Sequence, residues 1–124
     1  MCLVEKDFLL VKATSEYNTL YKVFYEEIIA FEAQRNHVIL HLKGRRIKTY
    51  VSMSDVEEHI SQYPQFVRLH RAFIICIPTI RQISRGQITM ENGLTFMVGE
   101  NYTNVYSNLL NTYLLKRRYN KKND

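Results

Sequence analysis

Four histidines stand at positions 37, 41, 59 and 70, and carboxylates come in adjacent pairs at Glu26-Glu27 and Glu57-Glu58. These are the side chains from which acid–base or metal chemistry would have to be assembled. His37 and His41 share one face of a strand, but no third ligand stands at a spacing that would close a metal site. His59 reads as an exposed helix residue. Adjacent carboxylates point to different sides of a strand or helix, so neither pair is placed to share a proton. The four glycines are spread from position 44 to position 99 and build no phosphate loop, and no Gly-x-Ser-x-Gly elbow occurs. Cys76 lies in an apolar run and Cys2 at the terminus, which speaks against a disulfide, a zinc finger or a redox pair. The residues imply no enzyme, no metal and no cofactor.

The basic residues are better organised. Residues 1–62 carry 8 Lys/Arg against 9 Asp/Glu, whereas residues 63–124 carry 9 against 3. A basic half favours a polyanionic partner, although a merely soluble basic surface would look the same. Many of these cations fall at junctions between apolar segments. Arg35-Asn36 precedes a hairpin, Arg45-Arg46 follows its turn, Arg68, His70 and Arg71 flank a break, and Arg81 and Arg85 lie near Gly86. Arginine offers a planar fork to guanine or phosphate, and asparagine can pair two ways with adenine. The plain alternative is that Arg68 is a solvated strand residue and Arg45-Arg46 a solubilising turn.

The elements that would carry these residues are mostly strands. "DFLLVKA" (7–13), "NTLYKVFY" (18–25) and "EIIAFEA" (27–33) are rich in aromatic and β-branched residues. "RNHVILHLKGRRIKTYVSM" (35–53) reads as a hairpin turning at Lys43-Gly44. A short helix is expected after Met53, with Ser54 as N-cap, Glu57 three residues on, and Val56 and Ile60 on its buried stripe. It should stop before Pro64. Segments 73–77, 79–84, 86–91 and 94–98 follow as strands, the last two joined by Asn92-Gly93, a strong hairpin signal. From Asn101 the period becomes helical for some four turns, with Val105, Leu109 and Tyr113 on one stripe and cations at the C-terminal end. The fold class is mostly β: antiparallel sheets with a short central helix and a C-terminal helix. One domain is expected over 1–124, with its core at about 7–118 and a frayed tail at 119–124. The longest apolar runs fall far short of the roughly 20 residues of a membrane span, and no signal segment follows Met1, so the expected compartment is the cytoplasm.

The stretch "FVRLHRAFIICIPTIRQIS" (66–84) resembles the signature of the LytTR family of DNA-binding domains, an aromatic and a basic residue followed by His-Arg before a buried strand. "YEEIIAFEAQRNHVILHL", "RRIKTYVSMSDVEEHI" and "GQITMENGLTFMV" are similar to the family's early strands, its returning strand with short helix, and its late hairpin. The resemblance implies a LytTR-like β fold and sequence-specific binding to double-stranded promoter DNA, with loops entering major grooves. It also implies a response-regulator effector domain of a two-component system, acting as a homodimer on paired direct repeats. No Asp-rich phosphoacceptor sequence is present, so a receiver domain or sensor partner would lie outside this sequence.

Carried over by position, the base-contacting loops fall at Asn36, at Arg71 and at Asn101, with Arg35, Arg45, Arg46, Arg68 and His70 assigned to phosphates. His70 has an equal structural reading, bonding a backbone carbonyl to hold the break. Three positions depart from the family pattern: Ala72 stands for a usual Ser, Cys76 for a usual Asn, and "VGEN" (98–101) for a Ser followed by basic residues. Glu100 would repel a nearby phosphate. Two rival readings remain: a single-stranded nucleic-acid binder using exposed aromatics, and a protein-interaction module docking through the Tyr-rich C-terminal helix.

Overall fold

The structure is a computed structural model that describes residues 7–117. Among these residues the chain forms strands β1 (Phe8–Lys12), β2 (Leu20–Phe24), β3 (Ile28–Gln34), β4 (His37–Leu42), β5 (Arg45–Thr49), β6 (Phe66–His70), β7 (Phe73–Cys76), β8 (Ile80–Ser84), β9 (Gln87–Met90) and β10 (Thr95–Met97). Two α-helices accompany them, α1 (Met53–His59) and α2 (Thr103–Tyr113). The strands make three antiparallel sheets, ordered β1-β2, β5-β4-β3-β7-β6 and β10-β9-β8. The mostly-β class with one central and one C-terminal helix is what the sequence pattern predicts.

The five-stranded sheet is the middle layer. Alternation along its strands, with the register shift between Ile28 and Ala30, sends Ile28, Phe31, Val38, Leu40, Leu42, Phe66 and Ile74 to one side, where β1, β2 and α1 cover them. Ile29, Ala30, Leu69 and Ile75 belong to the other side, packed against Ile88, Met90, Phe96 and Leu109 of β9, β10 and α2. Strand β3 is therefore apolar on both faces, and its first four residues are all buried.

Two helix boundaries differ from expectation. The N-cap of α1 is Ser52, not Ser54: its hydroxyl accepts from the Asp55 N–H at 3.1 Å, and the Asp55 carboxylate accepts from the Ser52 N–H at 2.8 Å. Ser54 with Glu57 offers the same i, i+3 box, and burial chooses between them. Starting at Met53 puts Met53, Val56 and Ile60 into the core together. The hydrogen bonds from Ser52, the backbone one first, hold the Asp55 carboxyl below the usual carboxylate range. Helix α2 is shorter than four turns: a 3-10 turn at Glu100–Tyr102 precedes it and Leu114 is already extended. Beyond Tyr113 the helix ends, with Leu115 95% exposed, so Lys116 and Arg117 lie past it. The expected tail at 119–124 and Cys2 lie outside the described residues.

Cys76 is a free, buried thiol, and burial pushes its pKa up to about 11. No helix among the described residues is long and apolar enough to cross a membrane.

Leu109 is the α2 residue buried against β9 and β10, so Leu109→Ala is expected to cost about 2–4 kcal/mol by thermal or denaturant unfolding. A C-terminal helix that served only as a docking face would leave stability unchanged.

Candidate nucleic-acid interface

Strand pairing decides which turns share an end of the molecule. The β3–β4 hairpin closes at Arg35-Asn36, with Gln34 opposite His37. The β6–β7 hairpin closes at Arg71-Ala72, with His70 opposite Phe73. The Ala33 N–H donates to the Ala72 carbonyl at 2.8 Å, which sets these two tips side by side. The chain leaving β10 then joins them, because the Gly99 N–H donates to the Leu69 carbonyl at 2.9 Å. That carbonyl is free to accept because Leu69 lies in the irregularity between Arg68 and His70, where the β6–β7 register slips by one residue. A Cβ on residue 99 would lie 3.1 Å from a Tyr102 ring carbon and 3.5 Å from the His70 Cα, so glycine suits this close passage. Asn36, Arg71 and Asn101, separated by up to 65 positions in the chain, are thus gathered at one end, all exposed.

What holds the Arg71 turn is an inward-turned set of polar groups. Arg68, only partly exposed, donates through Nη2 to the Arg71 carbonyl and through Nε to the His70 carbonyl at 3.4 Å. Its Nη1 meets the Glu57 carboxylate of α1 at 3.1 Å, and its guanidinium lies 5.9 Å from the Tyr102 ring centroid. One side chain therefore ties the turn to α1 and to the segment before α2. Beside it, His70 Nδ1 accepts from the Ala72 N–H at 3.0 Å, so the neutral ring carries its proton on Nε2. The sequence reading had His70 bonding a carbonyl; the partner is an amide donor. The ring packs edge-on against Phe73 and Phe96, which stack on each other at 4.6 Å.

The assigned cations do not all share this end. Arg45 and Arg46 pair with Leu42 and His41, at the opposite end of β4 and β5 from Asn36. Arg45 is also engaged, with Glu27 at 3.6 Å and its guanidinium over the Tyr21 ring. Arg46 is exposed at that distant end, and Arg35 is exposed beside Asn36. The pair His37 and His41 is likewise divided: His41 Nε2 meets Glu32 at 2.8 Å in a buried cross-strand contact, and His37 packs edge-on against Tyr50. No cluster of three or more metal-ligating side chains occurs among the described residues.

The comparisons with known proteins bear on what such an end would meet. A family model described as the LytTr DNA-binding domain matches residues 18–111. The chain belongs to the LytTr DNA-binding domain family. Its class of function is accordingly DNA binding in transcription regulation. The structure is similar to that of a LytTr DNA-binding domain from Bacillus cereus, from a protein described as a methyl-accepting/DNA response regulator. That likeness has a TM-score of 0.69 at 21% identity, covering 86% of this chain and 98% of the other, and it shows a shared LytTr fold. No curated protein sequence matches.

The sequence reading missed Gly99 as the residue of close approach and Arg68 as the tie between α1 and the turn. The glycine could have been suspected from "VGEN", but the Arg68 partners lie on other elements and leave no local signal. Arg68→Met is expected to destabilise the domain by about 1–3 kcal/mol, since it leaves the Glu57 carboxylate and two turn carbonyls without their donor. Unfolding midpoints unchanged within error would show that the tie is not structural.

Proposed function

We propose that this LytTr domain reads double-stranded promoter DNA through the end of the molecule formed by the β3–β4 tip, the β6–β7 tip and the 99–101 segment. The observation that carries the reading is the pair of backbone hydrogen bonds, Ala33 to Ala72 and Gly99 to Leu69, that brings three polar turns together in a chain of this family. A rigid β scaffold with exposed polar tips is suited to entering a major groove, which is about 12 Å wide and presents a distinct donor and acceptor pattern for every base pair.

In this reading Arg71 and Asn36 meet base edges, Asn101 a third base, and Arg35 a phosphate. Arg68 and His70 act behind Arg71, holding the turn that presents it, and Arg45 and Arg46 stand outside the footprint. Glu100 opposes the DNA charge beside Asn101. The chain would work in the cytoplasm as the effector part of a two-component response regulator, with a receiver domain or sensor as partner. Two copies would form a homodimer on paired direct repeats. The rival single-stranded reading needs a platform of aromatics on a sheet face, whereas the strongly exposed Tyr17 and Tyr50 lie in connecting segments and Tyr113 at the end of α2.

A binding selection on random duplex DNA at about physiological salt tests the reading directly. Recovery of a short motif repeated near one helical-turn spacing is expected; retention without any motif would reduce the domain to a non-specific phosphate binder. With the motif in hand, Arg71→Ala should lose about 1–3 kcal/mol of discrimination against random duplex. Arg35→Ala should instead weaken both duplexes alike and lower the salt slope by about 0.9. Equal losses of discrimination from the two substitutions would overturn the division of roles.

A further inference from the structure

Three hairpins of this fold close on two-residue tips that begin with arginine: Arg35-Asn36, Arg71-Ala72 and Arg85-Gly86. The third lies on the three-stranded sheet, apart from the β3–β4 and β6–β7 tips. Strand pairing puts Ser84 opposite Gln87, so Arg85 and Gly86 are the tip, with φ of +53° and +80°. Positive φ at both central residues marks a type I′ hairpin turn, and it favours Gly or Asn over a long side chain. Arg35 likewise has a positive φ, +27°. Two of the three tip arginines thus occupy backbone positions that a polar turn would fill more comfortably with other residues. Such local cost is commonly retained where the side chain is used.

The third tip is tethered to the proposed DNA-reading end. The Val98 N–H donates to the Gly86 carbonyl, and the next residue, Gly99, donates to the Leu69 carbonyl on the other side, both at 2.9 Å. Residues 98–99 run between the β8–β9 tip and β6 as an added strand would, so Gly86 and Leu69 stand about 10 Å apart, two strand spacings. That is within the width of a major groove. Among the described residues Arg85 is exposed and has no ionic or hydrogen-bonding partner for its guanidinium, whereas Arg45, Arg68 and Arg81 are each engaged. The 99–101 segment contributes Glu100, whose charge opposes DNA, and the tip that carries Arg85 is joined to the start of that segment by the Val98–Gly86 hydrogen bond.

We infer that Arg85 is a phosphate contact of the DNA-bound domain, a third tip arginine that supplies the positive charge the 99–101 segment lacks. This rests on the DNA-reading end proposed above. The contact is with the backbone, so it adds affinity and salt dependence without adding base preference.

The test uses the full chain and fluorescence anisotropy on the selected duplex and on a scrambled duplex of equal length, from 50 to 200 mM salt. Arg85→Ala and Arg85→Gly should each weaken both duplexes by about tenfold at 100 mM salt and lower the salt slope by about 0.9, while Arg85→Lys keeps most of the slope. Arg85→Gly should at the same time raise the melting temperature, because glycine accepts the positive φ. Loss of affinity in a more stable protein separates a contact from a folding defect. Unchanged affinity and slope in both variants, with Arg71→Ala still impaired, would overturn the assignment of Arg85 alone. Failure of the unsubstituted chain to bind either duplex would overturn it together with the reading on which it rests.

Discussion

Everything in this fold hangs on a central strand that must be dry on both faces. Ile28 and Phe31 of β3 belong to one apolar cluster and Ile29 and Ala30 to the other, and neither cluster can be left open to water without exposing half of that strand. One layer, β1, β2 and α1, must cover the Phe31 side, and another, β8 to β10 with α2, must cover the Ile29 side. Once both covers are seated, the hairpins of the middle sheet cannot slip, because a one-residue shift would exchange the two faces. The positions of the turns follow from this two-sided burial.

The turn end is where that rigidity is put to use. Arg68 gathers two carbonyls, a carboxylate from α1 and the Tyr102 ring around one guanidinium, and His70 accepts the next free amide. With its own backbone groups satisfied internally, the tip presents Arg71 to solvent with no competing local partner. The electrostatics divide along the same line. Arginines engaged with carboxylates or carbonyls, such as Arg45, Arg68 and Arg81, hold elements together, and those at the tips remain free. Arg35 and Arg71 stand exposed at that end, and Glu100 is the acidic exception there. Phe73 and Phe96, stacked beneath His70, carry the same end across from the middle sheet to the small one.

Much of this was legible in the residues. The alternation in 35–53 announced the β4–β5 hairpin, Asn92-Gly93 announced the β9–β10 turn, and "FVRLHRAFIIC" announced both the family and the place where the chain turns. The misreadings had specific causes. Two overlapping Ser-x-x-acidic boxes compete at 52–57, and only the burial of Met53 decides between them. The apolar periodicity continues past Tyr113, but Leu114 is already extended and neither it nor Leu115 is buried. His70 looked equally able to serve a phosphate or a carbonyl, and the amide it accepts from became evident only once the turn had closed.

The sequence by itself determined the element types, the polar turns and the family, because alternation, glycine and capping chemistry act over a few residues. Only the tertiary structure decided which turns stand together. Arg35 in the β3–β4 tip and Arg45 at the start of β5 are ten positions apart, yet antiparallel pairing puts them at opposite ends of β4. Leu69 and Gly99, thirty positions apart, meet through a single backbone hydrogen bond. The physical reason is that pairing partners are selected by which faces must be buried together, a property of the whole core that no local stretch encodes.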